Sequence, residues 1–191
     1  MNLTIKQWSE LNENQLEILS GLIKKSAEQF YFLIPTEGDI IDFISESINN
    51  PDSDLSDCKA IMDGEKVVGA LSCYETQELQ GRFLYYMRRV VDRNFHADLM
   101  NYFKSIPSIN SEGFYLSRIA VLDEYRGSGT AAKILSIFES ISKERDFTNA
   151  FLHVHVDNER AIKFYQKHGY QIFTEPFDKE NHQYHLMTKE L

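Results

Sequence analysis

The chain has 191 residues, 42% hydrophobic and 26% charged, with 29 acidic against 20 basic side chains and a net charge of −9. A chain of this size and composition can bury a core of its own and is not a disordered segment. The acidic balance speaks against a nucleic-acid partner, which needs a basic face, and no apolar run approaches the roughly 20 residues of a membrane span. The two cysteines, Cys58 and Cys73, stand in no ligand-like spacing, so no metal site and no disulfide are expected. With no basic start followed by an apolar leader, the expected location is cytoplasmic.

Leu3 and Ile5 alternate with polar residues and predict an opening strand. Asn12 then caps a helix whose apolar stripe is Leu16, Leu19, Leu22, Ile23 and Ala27. A second helix is predicted from Asp39 to Ile48, with Ile40, Ile41, Ile44 and Ile48 on one side. Cys58 to Met62 and Lys66 to Tyr74 read as two strands of a hairpin around Asp63-Gly64-Glu65. In the stretch from Glu75 to Ser111, Phe83 to Val91 fits strand or helix, and Ala97 to Phe103 reads as a short helix stopped before Pro107. Phe114 to Val121 is a strand, and Thr130 to Arg145 a helix with Ile134, Leu135, Phe138 and Ile141 at helical spacing. Phe151 to Val156 follows as a strand. Asn158 caps a helix to His168, which Gly169 ends in a left-handed conformation. Tyr170 to Thr174 and Tyr184 to Lys189 are the closing strands. The order βααβββαβαββ mixes hairpins with crossovers, so the expected class is α/β with a mixed sheet, in one domain over 1–191.

The most informative segment is Arg126-Gly127-Ser128-Gly129-Thr130-Ala131, between the strand ending at Val121 and the helix starting at Thr130. A helix N-terminus presents unpaired N–H groups and the positive end of a dipole, and glycines let a phosphate approach them. A P-loop would need Gly-Lys-Ser/Thr at its end, and Gly129-Thr130 lacks the lysine. Gly127, Gly129 and Ala132 match G-x-G-x-x-G/A, but five residues separate strand from glycines, and the acid at the expected distance, Asp146, follows a long helix. A nicotinamide-dependent oxidoreductase is therefore the weaker reading.

Ile119-Ala120-Val121 followed by Tyr125-Arg126-Gly127-Ser128-Gly129-Thr130-Ala131 resembles the acetyl-CoA signature of the GNAT superfamily, R/Q-x-x-G-x-G/A after a strand. A second block, Val154, Asn158, Ala161, Tyr165 and Gly169-Tyr170, is similar to that family's V-x-x-x-N-x-x-A-x-x-x-Y-x-x-x-G-F/Y segment. The close resemblance covers about Phe114 to Phe173. The chain departs from it at about 75–111, an insertion that would cover the site or add a wall to it.

The resemblance implies an N-acetyltransferase that moves an acetyl group from acetyl-CoA to a primary amine of a small molecule or peptide. It assigns the pyrophosphate to the segment Arg126, Gly127, Ser128, Gly129, Thr130 and Ala131, and the pantetheine arm to the backbone of Ile119, Ala120 and Val121 and to Asn158. Tyr165 becomes the general acid that protonates the departing thiolate. Each has a plainer reading: a tight strand–turn–helix corner, a helix cap, a core aromatic. For the general base, Glu75, Tyr115, Ser117, His153 and His155 lie on strands that would approach the cleft, and none stands out. Phe30-Tyr31-Phe32 suits an acceptor pocket as well as it suits a core. Glu37 or Asp39 would meet a cationic acceptor or start a helix, and Arg88, Arg89 and Arg93 would meet coenzyme phosphates or form a solvated cluster. A coenzyme-binding sensor without turnover is the alternative of a different class. The acceptor and the oligomeric state, a homodimer included, stay open.

Overall fold

The structure, a computed structural model, describes residues 2–31, 34, 36–92, 97–173 and 183–191, and of residues 29, 90–92 and 97–100 the backbone alone. Seven strands form one sheet in the order β1-β2-β3-β4-β5-β7-β6. They are β1 (Leu3–Gln7), β2 (Lys59–Asp63), β3 (Lys66–Glu75), β4 (Phe114–Val121), β5 (Asn149–His155), β6 (Gln171–Ile172) and β7 (Tyr184–Glu190). Neighbours run antiparallel except β4 and β5, which are parallel because the helix α6 (Thr130–Glu144) crosses between them. The mixed α/β class expected from the sequence is the class observed.

The remaining helices are α1 (Glu13–Ser26), α2 (Glu28–Tyr31), α3 (Glu37–Ile48), α4 (Leu79–Asp92), α5 (Ala97–Lys104) and α7 (Glu159–Lys167). None of the described helices is long and apolar enough to cross a membrane. Asn12 caps α1 as expected, its Oδ1 accepting from Gln15 N–H at 3.0 Å while Gln15 Oε1 accepts from Asn12 N–H at 3.1 Å. The second long helix starts two residues before Asp39, because Thr36 Oγ1 accepts from Asp39 N–H at 3.1 Å and so sets the cap. Ile41 does not share its inner face: it is 56% exposed, and Phe43 is fully buried instead.

Two cores flank the sheet. On one face α1, α3 and the tyrosine-rich α4 pack Leu19, Ile23, Phe43, Ile44 and Tyr86 against Ala60, Met62 and Ala70. On the other, α6 and α7 pack Ile134, Leu135, Phe138 and Tyr165 against Val68, Leu71, Phe114 and Leu116. Gly69 explains how closely α6 lies on the sheet, since a Cβ there would sit 2.6 Å from Ile134 Cδ1 and 2.8 Å from the Ala120 carbonyl oxygen. Cys58 and Cys73 are free thiols in these cores, and burial pushes them up to about 12 and about 11.

The insertion resolves its own ambiguity as helix, with Phe83 to Val91 inside α4. Its ends are stapled together where Thr76 N–H donates to the Gly113 carbonyl at 2.9 Å and Gly113 N–H donates to Thr76 Oγ1 at 3.0 Å. Buried Arg82 holds α4 down by bonding Glu78, Asp57 and the Ser53 carbonyl, with its guanidinium 4.1 Å from the centre of the Tyr74 ring. Several strand boundaries differ from expectation, β5 starting at Asn149 rather than Phe151 and ending at His155. Cys58 closes a turn onto the Leu55 carbonyl before β2 begins, and the first closing strand shrinks to Gln171–Ile172, with Thr174 outside the described residues.

Replacing Gly69 by alanine forces a methyl into occupied space and is expected to cost about 1–3 kcal/mol. Urea unfolding should show a lower midpoint at unchanged slope.

Candidate active site

The site begins with a failure of pairing. β4 and β5 are in register only at Phe114–Ala150, Tyr115–Phe151 and Leu116–Leu152. Beyond that point β4 stays with β3 to Val121 and β5 stays with β7 to His155, so a wedge opens between them. The register of β3 against β4 shifts at the same place, Cys73 facing Leu116 and Ser72 facing Arg118, which makes Ser117 an extra residue. Such a bulge bends the strand and reverses its alternation. Leu116 faces the α6 side, and after the bulge Ile119 and Val121 take over that face.

Backbone groups alternate along the same edge. Leu122 N–H donates to the Val68 carbonyl at 3.0 Å and the Ala120 carbonyl points at Gly69, so both are turned to β3. The N–H and C=O groups of Ile119 and Val121 therefore point the other way, into the wedge. An edge of this kind accepts an extended ligand as an added strand.

The wedge ends at the glycine turn. Gly127 and Gly129 have φ of 79° and 85°, and a Cβ on either would meet nothing within 4 Å. The left-handed backbone demands glycine, and the space above it is open for a ligand. Gly129 is the N-cap of α6 and brings no side chain to it, so the first turn meets a ligand as bare N–H groups. Arg126, Gly127, Gly129 and Ala131 line the cavity, whereas Ser128 and Thr130 do not. Those two hydroxyls bond each other at 2.8 Å, and Ser128 Oγ also donates to the Tyr125 carbonyl at 2.6 Å, which fixes the turn from behind. The Arg126 amide is engaged by the Asp123 carbonyl at 3.0 Å.

A single cavity of about 1210 Å³ joins this turn to the wedge and to the insertion. Ile119, Ala120, Val121, Asn158 and Tyr165 all line it. Asn158 is the cap of α7, its Oδ1 accepting from Ala161 N–H at 3.1 Å, which leaves Nδ2 for another partner. Tyr165 is 6% exposed, and burial holds its phenol above the ordinary tyrosine range, so it stays a donor.

Four of the five candidate bases line the cavity, while Glu75 stands near Arg145 instead. His153 is clamped: Nε2 lies 2.7 Å from the Pro107 carbonyl, so that nitrogen carries the proton, and Nδ1 accepts from Tyr115 OH at 2.9 Å. His155 Nδ1 accepts from Asp157 N–H at 3.3 Å. Ser117 Oγ donates to Asp54 Oδ2 at 2.6 Å.

That contact belongs to a cluster the sequence reading missed. Asp54 and Arg118 are 4% and 9% exposed, with Arg118 Nε donating to Asp54 Oδ2 at 3.0 Å. Tyr86 OH donates to Asp54 Oδ1, Ser72 Oγ to the Asp54 carbonyl at 2.6 Å, and Arg118 Nη1 to Ser26 Oγ at 3.3 Å. Burial acts to lower the pKa of Arg118, and Asp54 together with the neighbouring Tyr31, Cys58 and Tyr102 more than offsets it, so the guanidinium stays charged. An arginine amid the apolar Phe114–Val121 run was the available signal. Asp54 lies in the polar run Pro51-Asp52-Ser53-Asp54, which reads as a solvated turn.

Of the acceptor-side candidates, Phe30 lines the cavity, Tyr31 is buried beside Arg118, and Phe32 lies outside the described residues. Glu37 pairs with Lys24 and Asp39 accepts from Thr36 Oγ1 at 2.7 Å, both away from the cavity. Arg89 pairs with Glu46 on α3, Arg88 is exposed, and Arg93 lies outside the described residues. No group of three metal-ligating side chains occurs among the described residues.

The profile of the acetyltransferase (GNAT) family matches residues 19–170. The chain belongs to that family. It is 38% identical over 66 residues to N-alpha-acetyltransferase 50 of Danio rerio, and 41% identical over 76 residues to the protein YyaT of Bacillus subtilis. These matches take in 34% and 40% of this chain and 39% and 49% of the relatives, so under half of each relative's length is covered. Among solved structures, one described as an acetyltransferase aligns over 98% of both chains with a TM-score of 0.68 at 19% identity. The PaiA N-acetyltransferase of Thermoplasma acidophilum, in complex with coenzyme A, aligns over 100% of both at 0.57 and 17%. At such identities the likeness is one of fold, and the GNAT fold is the one expected from the two sequence blocks.

Removing Asp54 strands a buried guanidinium, so Asp54→Ala is expected to lose about 3–5 kcal/mol of stability. Glu159→Ala, which breaks an exposed pair with Lys163, should leave the unfolding midpoint nearly in place.

Proposed function

We propose that the protein transfers an acetyl group from acetyl-CoA to a primary amine, by direct attack of the amine on the thioester. The observation that carries this reading is the continuity of the wedge with the glycine turn. One cavity offers outward-facing strand backbone at Ile119 and Val121, bare N–H groups at the start of α6, and a buried phenol at Tyr165.

In this reading the amides of Gly127, Gly129 and Ala131 and the α6 dipole hold the pyrophosphate. Arg126 contributes charge by its side chain, because its amide serves the turn. Ile119 and Val121 pair with the amides of the pantetheine arm as a strand would, and Asn158 adds Nδ2 while Oδ1 keeps its cap. Threading the arm through the wedge sets the thioester between β4 and β5, where an outward N–H of β4 stabilises the oxygen on which charge develops.

Tyr165 donates to the sulfur as the carbon–sulfur bond breaks. A reference thiol pKa near 8.5 lies below that of tyrosine near 10, and burial raises Tyr165 further. Proton transfer is therefore late, and the hydroxyl acts chiefly as a strong hydrogen-bond donor. The acceptor must lose a proton before attack, and at pH 7 an amine of lysine-like pKa is free at a cost of roughly 4 kcal/mol. The wedge's hydroxyls and imidazoles offer a water-bridged route for that proton.

Acetyl-CoA at 100 times its dissociation constant is expected to add about 2.7 kcal/mol of stability, a melting shift of roughly 5–10 °C. Gly129→Val should remove the shift, because valine is strained at that φ and its side chain fills the phosphate's space. A variant that melts like the parent and keeps the shift overturns the phosphate assignment.

For Tyr165→Phe the expected loss in kcat at pH 7 is about 100-fold, at the low end for general acids. Tyr165 stays protonated across the assay range, so the deficit should shrink above about pH 8.5 as the thiolate leaves unaided. A pH–rate profile with a saturating amine checks it, and a deficit constant with pH points to positioning instead.

A further inference from the structure

We infer that the acceptor is an amine that also carries a carboxylate, an amino acid or a molecule of that kind, and that Arg118 binds the carboxylate. The inference rests on the acetyltransferase reading and names its substrate class.

The argument starts from charge. The chain carries −9, yet among the described residues the cavity is lined by Lys25, Arg82, Arg118, Arg126, Arg160 and Lys167 against one carboxylate, Asp54. The cations nearest the glycine turn are accounted for by the phosphates of the coenzyme. Lys25 and Arg126 both bond Asp123, Arg160 acts on the same carboxylate, and Lys167 stands on α7. Arg82 is saturated by Glu78, Asp57 and the Ser53 carbonyl. Arg118, held by Asp54 and Ser26, keeps an open donor.

Its bonding is half complete. Nε is held by Asp54 and Nη1 by Ser26, at 3.0 and 3.3 Å, and no described residue accepts a hydrogen bond from Nη2. Arg118 is nevertheless 9% exposed and lines the cavity, and Nη2 is not among the fully buried polar atoms without a partner. A buried guanidinium with an open donor is built for a planar anion. Asp54 fixes its orientation, and the Tyr31 ring covers it, centred 5.9 Å from the guanidinium carbon. The Tyr31 hydroxyl is buried, has no partner among the described residues, and does not line the cavity. Tyr102 and Tyr184, with ring centres 5.7 Å apart, add phenols that burial keeps neutral.

The same inventory argues against a dicationic acceptor. A polyamine needs carboxylates with open lone pairs, and Asp54 already accepts from Tyr86, Ser117 and Arg118. The rest of this half is aromatic: the rings of Phe30 and Phe103 each stand within 6.3 Å of each other and of Tyr86 and Tyr102, centre to centre. The acceptor's third group is therefore apolar.

The test is release of CoA thiol from acetyl-CoA by the full chain over three sets of amines: apolar and aromatic amino acids, their α-carboxamides, and diamines. Amino acids are expected to lead, with kcat/KM about 10- to 100-fold above the matching carboxamides, the size of one charged hydrogen-bond pair. Arg118→Lys keeps a charge beside Asp54 and tests the residue. Its ratio of amino acid to carboxamide should fall toward one, through KM, while the melting shift with acetyl-CoA persists. Carboxamides or diamines equal to or better than amino acids overturn the inference and leave the transferase reading standing, as does an unchanged ratio in Arg118→Lys. Thermal stabilisation by acetyl-CoA with no thiol release from any set overturns both.

Discussion

Everything else at the site depends on the place where β4 stops pairing with β5. A parallel pair inside a sheet satisfies the backbone of both strands, and abandoning it after Leu116 and Leu152 leaves polar groups on two strands without partners. Such an opening persists only if the strands are held from their outer sides. Here β3 holds β4 to Val121 and β7 holds β5 to His155, so each strand keeps one complete ladder while offering the other edge. The wedge is in effect a vacant strand position in the middle of a sheet. That geometry favours a ligand with regularly spaced amides, which is what the pantetheine arm of coenzyme A supplies.

The bulge at Ser117 couples the two halves of this opening. Without the extra residue, Leu116 and Arg118 would share a face, and the guanidinium would enter the apolar core of Phe114, Ile134 and Phe138. With it, Arg118 crosses to the face of Asp54 and Ser26, and Ile119 and Val121 inherit the packing against α6. The cost of burying a charge is met by three short contacts at Asp54 and by the carbonyl that Asp54 lends to Ser72.

How much of this could be read from the sequence follows from which atoms do the binding. The half proposed to hold the coenzyme is made largely of backbone, and backbone constrains residue type at fixed spacing. Positive φ at 127, 129 and 169 requires glycine, and the caps at 12 and 158 require a short polar side chain, so these features were legible. The hairpin around Gly64, at φ 60°, was legible for the same reason. The half proposed to take the acceptor is made of side chains from distant segments, Ser26, Asp54, Tyr86 and Arg118, brought together only by tertiary packing, and no local pattern marks them. Periodicity also failed where several faces of a helix are in contact. In α4 the run Phe83-Leu84-Tyr85-Tyr86-Met87 puts Tyr86 in the core and Tyr85 and Met87 against it, while Phe83 and Leu84 stay partly exposed, so neither period dominates. Ile41 shows the converse, an apolar residue on the right spacing that faces outward.

The division between backbone and side chains also explains why donor and acceptor positions cannot drift apart. Arg118 and Ile119 are consecutive, so the residue proposed to grip the acceptor and the residue proposed to grip the pantetheine arm are fixed by one peptide unit. A shift of β4 along β3 would move both together and keep their separation. What such a shift would break is the contact of Gly69 with Ile134 and the Ala120 carbonyl, where no space exists for adjustment. The tight packing of α6 on the sheet thus sets the height of the glycine turn and of the strand edge at once. Substrate choice can then vary through the helices of the insertion, which touch the acceptor half through Tyr86, Tyr102 and Phe103, with the coenzyme half unchanged.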